Sequence, residues 1–320
     1  MPQKNKNTKP KDIMEIQFDN GFKWINIPSH DKKHINWLRE NFDFEEMDLK
    51  DCDPINQRPK VNAYPHYNFM ILQFPVYNRL TGDIESSEID FFISKDYLIT
   101  VHKNDLVPIL DIFEKYKINA KKEFKKTDGA GQLLYEILNQ LLHYCFPMLN
   151  HISQDIDTIE NIIFRIEKNT ATNSIKEILR IKRNIVNFRK IMQAHKNIIS
   201  KLILNSENFF TTYKLKIYYS NLINHTKDIW DFLSNYKDTI DALHETQESL
   251  VSNKLNDIMK MLTIFSVIVF PLNLIAALFG MNSMNSMPFM ENPLDFWIIV
   301  TIMVTGVLGM IFYFKAKKWI

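Results

Sequence analysis

Two uncharged segments near the C-terminal end constrain this chain more than any other feature. Residues 261–290 contain no Asp, Glu, Lys or Arg, and residues 296–314 contain none either. Within them, 261–279 and 296–314 each supply nineteen uncharged residues. That is about the length a helix needs to cross the apolar core of a bilayer. We interpret both as transmembrane helices rather than a buried helical hairpin, because little chain surrounds them.

Basic residues predict the orientation of this hairpin. Lys254 and Lys260 precede the first segment, and three lysines of the tail 315–320 follow the second, whereas the loop 280–295 contains no Lys or Arg. Positive charge accumulates on the cytoplasmic side of membrane proteins. We therefore expect a multi-pass protein of the cell (inner) membrane, with a basic cytoplasmic tail, both termini cytoplasmic and the loop facing outward. The loop's only charges are the acids Glu291 and Asp295.

The rest of the chain has the composition of a soluble domain. Its formal net charge of +2 gives no indication of a nucleic-acid partner. The two cysteines, Cys52 and Cys145, lack metal-ligand spacing and do not indicate a disulfide framework. Residues 1–12 are basic and polar without an apolar stretch, so we expect a disordered arm rather than a signal peptide.

Residues 13–125 carry the pattern of an α+β domain, a mixed sheet with helices. Asn20-Gly21 separates two apolar stretches and predicts a tight hairpin turn. The expected strands are 13–18, 22–27, 69–77, 89–93 and 97–101, and the expected helices are about 30–41 and 106–116.

Helical periodicity dominates the chain after residue 125. No Gly or Pro occurs between Met148 and Phe270, and apolar residues recur at three- and four-residue steps. Polar clusters predict breaks near 169–173 and 205–208. We expect two long antiparallel helices within 126–208, then one very long helix whose stalk, 209–260, continues into the membrane.

A polar stripe marks the first membrane segment. Asn273 lies inside it, and an amide in hydrocarbon tends to face a partner or a water-filled space. Pro271 is expected to kink the helix. The stripe has six members on one helical face: Asn256, Met259, Leu262, Ser266, Phe270 and Asn273. The apolar members are compatible with lipid or helix contacts, and Asn273 with an interhelical hydrogen bond. Two in-line amides favour a pore, which requires an oligomer because two spans cannot enclose one.

A short motif stands at the outer end of this segment. Gly280-Met281-Asn282 follows the helix directly, Ser252-Asn253-Lys254 precedes it, and Lys317-Lys318-Trp319 closes the second span. Together with Gln57-Arg58-Pro59-Lys60 before a strand, this arrangement resembles the CorA-type magnesium/cobalt transporter family over nearly the full chain.

The resemblance implies a homopentamer with a cytoplasmic funnel and a pore lined by the first span. It implies passive, channel-like Mg²⁺ influx, with Co²⁺ and Ni²⁺ as further ions, and neither enzyme activity nor a cofactor. Mg²⁺ is then both the transported and the regulatory ion. Gly280, Met281 and Asn282 form the selective outer mouth, Asn273 a second polar ring and Asn256 the cytoplasmic entrance. Met259, Leu262 and Phe270 are candidate hydrophobic constrictions.

Two departures from the family pattern affect these expectations. The family often has Met-Pro-Glu-Leu after the signature, whereas this chain has Met287-Pro288-Phe289 and its acid at Glu291. Asp51 and Asp53 are candidates for a cytosolic magnesium sensor, but the stalk position expected to complete it is Asn221, which is not an acid. A solvated acidic surface explains these two aspartates equally well.

Two other functions compete with magnesium transport. Zinc-transporting relatives share the fold but carry Gly-Ile-Asn, and Met281 stands at that middle position here. A membrane-tethered helical scaffold explains the long helices but not the asparagine stripe. No GxxxxGK[ST] phosphate loop is present, so ATP coupling is unsupported.

Overall fold

A six-stranded mixed sheet organises the first part of the chain and confirms the predicted α+β class. The computed structural model describes residues 9–53, 58–123, 129–164, 171–205, 213–281 and 294–319. The strands are β1 (Met14–Gln17), β2 (Lys23–Ile27), β3 (Lys60–Ala63), β4 (Asn68–Asn78), β5 (Asp83–Ile93) and β6 (Tyr97–His102). Their order across the sheet is β1-β2-β6-β5-β4-β3, and β2 with β6 is the one parallel pair within it.

The predicted hairpin turn is present between β1 and β2. Gly21 has φ +84°, which a residue with a side chain adopts only with strain. Its N–H donates to the Phe18 carbonyl over 3.0 Å, and the Phe22 N–H donates to Asn20 Oδ1 over 3.1 Å. The Asn-Gly pair therefore fixes the register of β1 on β2.

Eight helices accompany the sheet in the described part of the chain. Three are short or medium: α1 (Lys32–Asn41), α2 (Glu46–Asp51) and α3 (Val107–Glu123). The others are α4 (Ala130–Phe164), α5 (Ala171–Met192), α6 (His195–Asn205), α7 (Tyr213–Phe279) and α8 (Asp295–Ala316). Residues 1–244 form one compact unit and residues 245–320 another.

The structure has three helices where the sequence predicts two between 126 and 208. The chain turns at Gln193 and Ala194, although neither residue is a helix breaker. After this turn, Ile198, Ile199 and Leu202 are buried in the core. Burial of the apolar face of α6 thus outweighs the helix propensity of the turn residues. The proposed domain boundaries themselves stay predictions.

Each face of the sheet has its own hydrophobic core. Phe69 and Ile71 of β4 pack with Leu38 of α1 on one face. Met70 and Leu72, which point the other way, belong to the larger core formed with α3 to α7. Alternation along β4 therefore places α1 and α2 on one side of the sheet and the long helices on the other.

His195, at the start of α6, makes this unit sensitive to acid. Its side chain is fully buried, and its ring lies edge-on to Phe74 with centroids 4.9 Å apart. Burial lowers the pKa of His195 to about 4 because the charged ring loses its water, and the neighbouring backbone groups of Met192 offset this only in part. The unfolded chain, with a histidine pKa near 6.5, binds the proton more readily, so stability is lost as pH falls from about 6.5 towards 4.

Replacing His195 by glutamine is expected to remove this contribution. Between pH 7 and pH 5, the wild-type chain should lose about 2 kcal/mol of unfolding free energy relative to His195→Gln. Thermal unfolding of both detergent-solubilised chains across this pH range measures the difference. Parallel pH dependences of the two proteins would contradict the assignment.

Candidate functional site

Two helices in the described chain have the length and composition of membrane spans. The apolar window of α7 has a mean hydropathy of 2.4 and that of α8 a value of 2.2, and neither window is buried within the structure. Phe296 and Trp297 at one end of α8 are both 64% exposed, and Phe314 stacks on Trp319 at the other end. Aromatic side chains are typical of the membrane–water boundary.

The six predicted pore residues lie on one side of α7. At 100° per residue they occupy an arc of about 120° over about 26 Å of helix. Met259 is 59%, Leu262 57% and Phe270 70% exposed. Asn256 and Asn273 are exposed as well, while Ser266 is half-buried. The whole stripe thus forms one mostly uncovered surface, called the stripe face below.

From residue 264 onward the opposite side of α7 is the more buried one, whereas residues 248–263 are exposed on every side. Its half-buried residues are spaced by three or four and centre about 180° from the stripe face; they are Ile264, Ile268, Leu272, Ile275 and Phe279. The other helix of this unit, α8, has the same spacing of partly or fully buried residues at Ile299, Met303, Val307, Met310 and Phe314. This pattern is typical of helices that pack along one side, and in α7 that side is not the stripe face.

The signature motif begins where α7 ends. The Gly280 N–H donates to the Ala276 carbonyl over 2.9 Å, and a Cβ at Gly280 would lie 3.1 Å from that oxygen. Because glycine has no Cβ, the chain can approach the Ala276 carbonyl closely at the end of the helix. Met281 follows and is 59% exposed. Pro271 lies inside α7, and the helix continues through it to Phe279.

The structure describes only some of the other loop residues that were assigned to the outer mouth. Asn282 and Glu291 lie outside the described residues. Asp295 is the first residue of α8. Their roles stay predictions.

The two candidate sensor aspartates differ in their surroundings. Asp51 ends α2 and forms an ion pair with Lys60 of β3. Asp53 is exposed, and so is Asn221 on α7. The structure therefore gives Asp51 a partner within its own chain, and the sensing role of both aspartates stays a prediction.

A second polar cluster, which the sequence analysis did not predict, lies within the sheet domain. It consists of His30, Glu88 and Asp90, all buried, with ligating atoms within 4.8 Å of one another. The detectable signal was weak: Glu88 and Asp90 alternate around Ile89 just before the apolar end of strand β5, and residues in alternation share one face. His30 is far away in sequence, so only the fold brings it to them.

Comparison with known proteins agrees with this architecture. The cobalt/magnesium transport protein CorA of Thermotoga maritima is 28% identical to this chain over 93% of the chain and 83% of that protein. The protein of the same name from Methanocaldococcus jannaschii is 23% identical, with 96% and 94% covered.

A solved structure shares the fold over nearly the full length. The complete CorA magnesium transporter of Methanocaldococcus jannaschii superposes with a TM-score of 0.83 at 21% identity, covering 95% of this chain and 94% of that one. The family described as CorA-like Mg²⁺ transporter protein matches residues 19–317. With its mixed sheet, its long α7 and two apolar helices at the end of the described chain, this protein belongs to the CorA-like Mg²⁺ transporter family.

Proposed function

We propose that this chain is a channel-like divalent cation transporter of the cell (inner) membrane. It carries Mg²⁺ inward, with Co²⁺ and Ni²⁺ as further ions, through a homopentameric pore lined by α7. The observation that carries the proposal is the uncovered stripe face, with Asn256 and Asn273 near its two ends. A surface that one chain leaves exposed beside a packed face is suited to line a space between several copies.

Neutral oxygens at this surface match the chemistry of magnesium. Mg²⁺ loses its water reluctantly, so amide oxygens at Asn282, Asn273 and Asn256 can bind the hydrated ion without stripping it. Between the amides, Met259, Leu262 and Phe270 form apolar constrictions that gate by dewetting. The membrane potential supplies about 2.3 kcal/mol per elementary charge per 100 mV, and thus drives a dication inward without a nucleotide.

The acids of the outer loop attract cations to the mouth. Glu291 and Asp295 are the only charged residues between positions 280 and 295, and both are negative. In this orientation both chain termini are cytoplasmic, so the sheet domain forms the cytoplasmic funnel. Mg²⁺ binding near Asp51 and Asp53 regulates the pore only if it displaces Lys60 from Asp51.

The signature asparagine is tested by growth of cells that lack magnesium uptake. The wild-type chain should restore growth at low magnesium, and Asn282→Ala should not, because one amide is lost from every subunit at the mouth. Asn285→Ala is the matched control, since the loop repeats Met-Asn-Ser and Asn285 occupies the same place in the second copy. Equal rescue by Asn282→Ala would refute the selective role. Uptake of Zn²⁺ without Mg²⁺ would reassign the cargo.

A further inference from the structure

Three metal-ligating side chains meet in the core of the sheet domain. His30 follows β2, and Glu88 and Asp90 lie two residues apart on β5. Their residues are 6%, 1% and 0% exposed. His30 Nε2 lies 3.2 Å from Asp90 Oδ2. They are separate from the proposed pore residues, all of which lie between positions 256 and 282.

Burial leaves the polar atoms of His30 and Asp90 with few partners. Apart from their mutual 3.2 Å contact and the Cys52 thiol beside Asp90, the His30 ring nitrogens and the Asp90 carboxylate have no hydrogen-bond partner among the described side chains. Buried polar groups nearly always have such a partner, and burying a charge without one is costly. A cation here would give His30 and Asp90 the partner that burial denies them, with Glu88 close enough to join them.

We propose that His30, Glu88 and Asp90 bind one transition-metal dication of the Zn²⁺ or Co²⁺ type, outside the transport pathway. An imidazole nitrogen with two carboxylates favours such ions over Mg²⁺, which prefers oxygen ligands. The ion joins the segment after β2 to β5 and so stabilises the sheet domain. The proposal concerns binding alone and does not depend on transport.

The geometry suits such an ion after a small contraction. Ligands held tetrahedrally at about 2.0–2.2 Å lie about 3.3 Å apart, close to the observed His30–Asp90 separation. All ligand atoms lie within 4.8 Å of one another, so no pair has to approach by more than about 1.5 Å. The Cys52 thiol is fully buried and interacts with Asp90. Cys52 or a water molecule would complete the coordination.

Cobalt binding to the full chain in detergent tests the proposal. The chain is stripped with a chelator and titrated with Co²⁺ in excess Mg²⁺, which occupies the oxygen-only sites. We expect one Mg²⁺-resistant Co²⁺ per chain, visible d–d absorption bands, imidazole scattering in X-ray absorption, and a higher melting temperature. His30→Gln and Asp90→Asn should weaken this binding by about tenfold or more, because each removes one of three ligands.

Two controls keep the outcome unambiguous. Asp31→Asn and His66→Gln change an exposed acid and an exposed histidine of the same domain, and should bind Co²⁺ as the wild-type chain does. The wild-type measurements decide the matter even if the core variants fail to fold. Absence of Mg²⁺-resistant Co²⁺, or scattering from oxygen ligands alone, would overturn the proposal. So would retention of the site in folded His30→Gln and Asp90→Asn.

Discussion

The Trp24→Ala variant is expected to unfold about 10 °C below the wild-type chain. Trp24 is fully buried, and its ring lies edge-on to Phe113 and Tyr116 with centroids 4.9 and 6.2 Å away. Truncating a buried tryptophan costs about 3–5 kcal/mol, because apolar contacts are lost and a cavity remains. Each kcal/mol lowers the melting temperature of a domain of this size by about 2–4 °C.

The indole also begins a buried chain of polar contacts. Its Nε1–H donates to Thr100 Oγ1 over 3.1 Å, and the Thr100 hydroxyl donates to Asn26 Oδ1 over 2.6 Å. His102 Nε2 lies 2.9 Å from the same oxygen. Truncation therefore leaves the threonine oxygen without its indole donor, which adds to the cost of the cavity.

A matched series separates these two costs. Trp24→Phe keeps most of the volume but removes the N–H, so its melting temperature should lie between those of the wild type and Trp24→Ala. Trp297→Ala, at a residue 64% exposed on α8, should change it little. Far-ultraviolet circular dichroism during heating measures all four chains. A loss below about 2 °C for Trp24→Ala would contradict the packing argument.

Sequence patterns predicted those turns and strands that are determined by the residues within them. The turn at Asn20-Gly21 needs a positive φ that glycine adopts freely, and the alternation of β4 reflects two buried faces. The break before His195 has no such local cause, because Gln193 and Ala194 both favour helix. It is set by burial of α6 against the sheet, which a single sequence does not display.

In the candidate site, too, some features follow from local sequence and others depend on distant residues or on other chains. Helical periodicity alone placed Asn256 and Asn273 on one face of α7, and their place in a pore stays a prediction. In the proposed pore, what lies against that face depends on other copies of the chain, and no periodicity within one chain specifies them. The cluster around His30 was missed for a related reason, since His30 and Glu88 are 58 positions apart and only strand pairing brings them together.

An Asn273→Cys variant should lose most of its divalent cation influx when treated with a small cationic thiol reagent. The chain has only two cysteines, Cys52 and Cys145, and both are fully buried. Burial raises the pKa of both thiols because a thiolate in the core loses its water. Neither should react, so the introduced cysteine is labelled alone.

Ile275→Cys is the matched control, two residues along the same helix. It turns the thiol by about 200° to the half-buried face, so the reagent should neither reach it nor alter influx. If Ile275→Cys is blocked as strongly as Asn273→Cys, or neither is blocked, α7 does not line the pore through the stripe face.

The expected block at Asn273→Cys is large because the positive charge of the bound reagent lies only a few ångströms from a passing dication and repels it. A unit positive charge about 5 Å from a dication, at an effective dielectric constant near 20, repels it by about 7 kcal/mol. Water in the pore reduces this energy, yet about 1.4 kcal/mol already slows passage tenfold. One labelled subunit places such a charge beside the ion path, and several reinforce it. We therefore expect influx to fall by more than about tenfold, measured as uptake of Co²⁺ into vesicles before and after labelling.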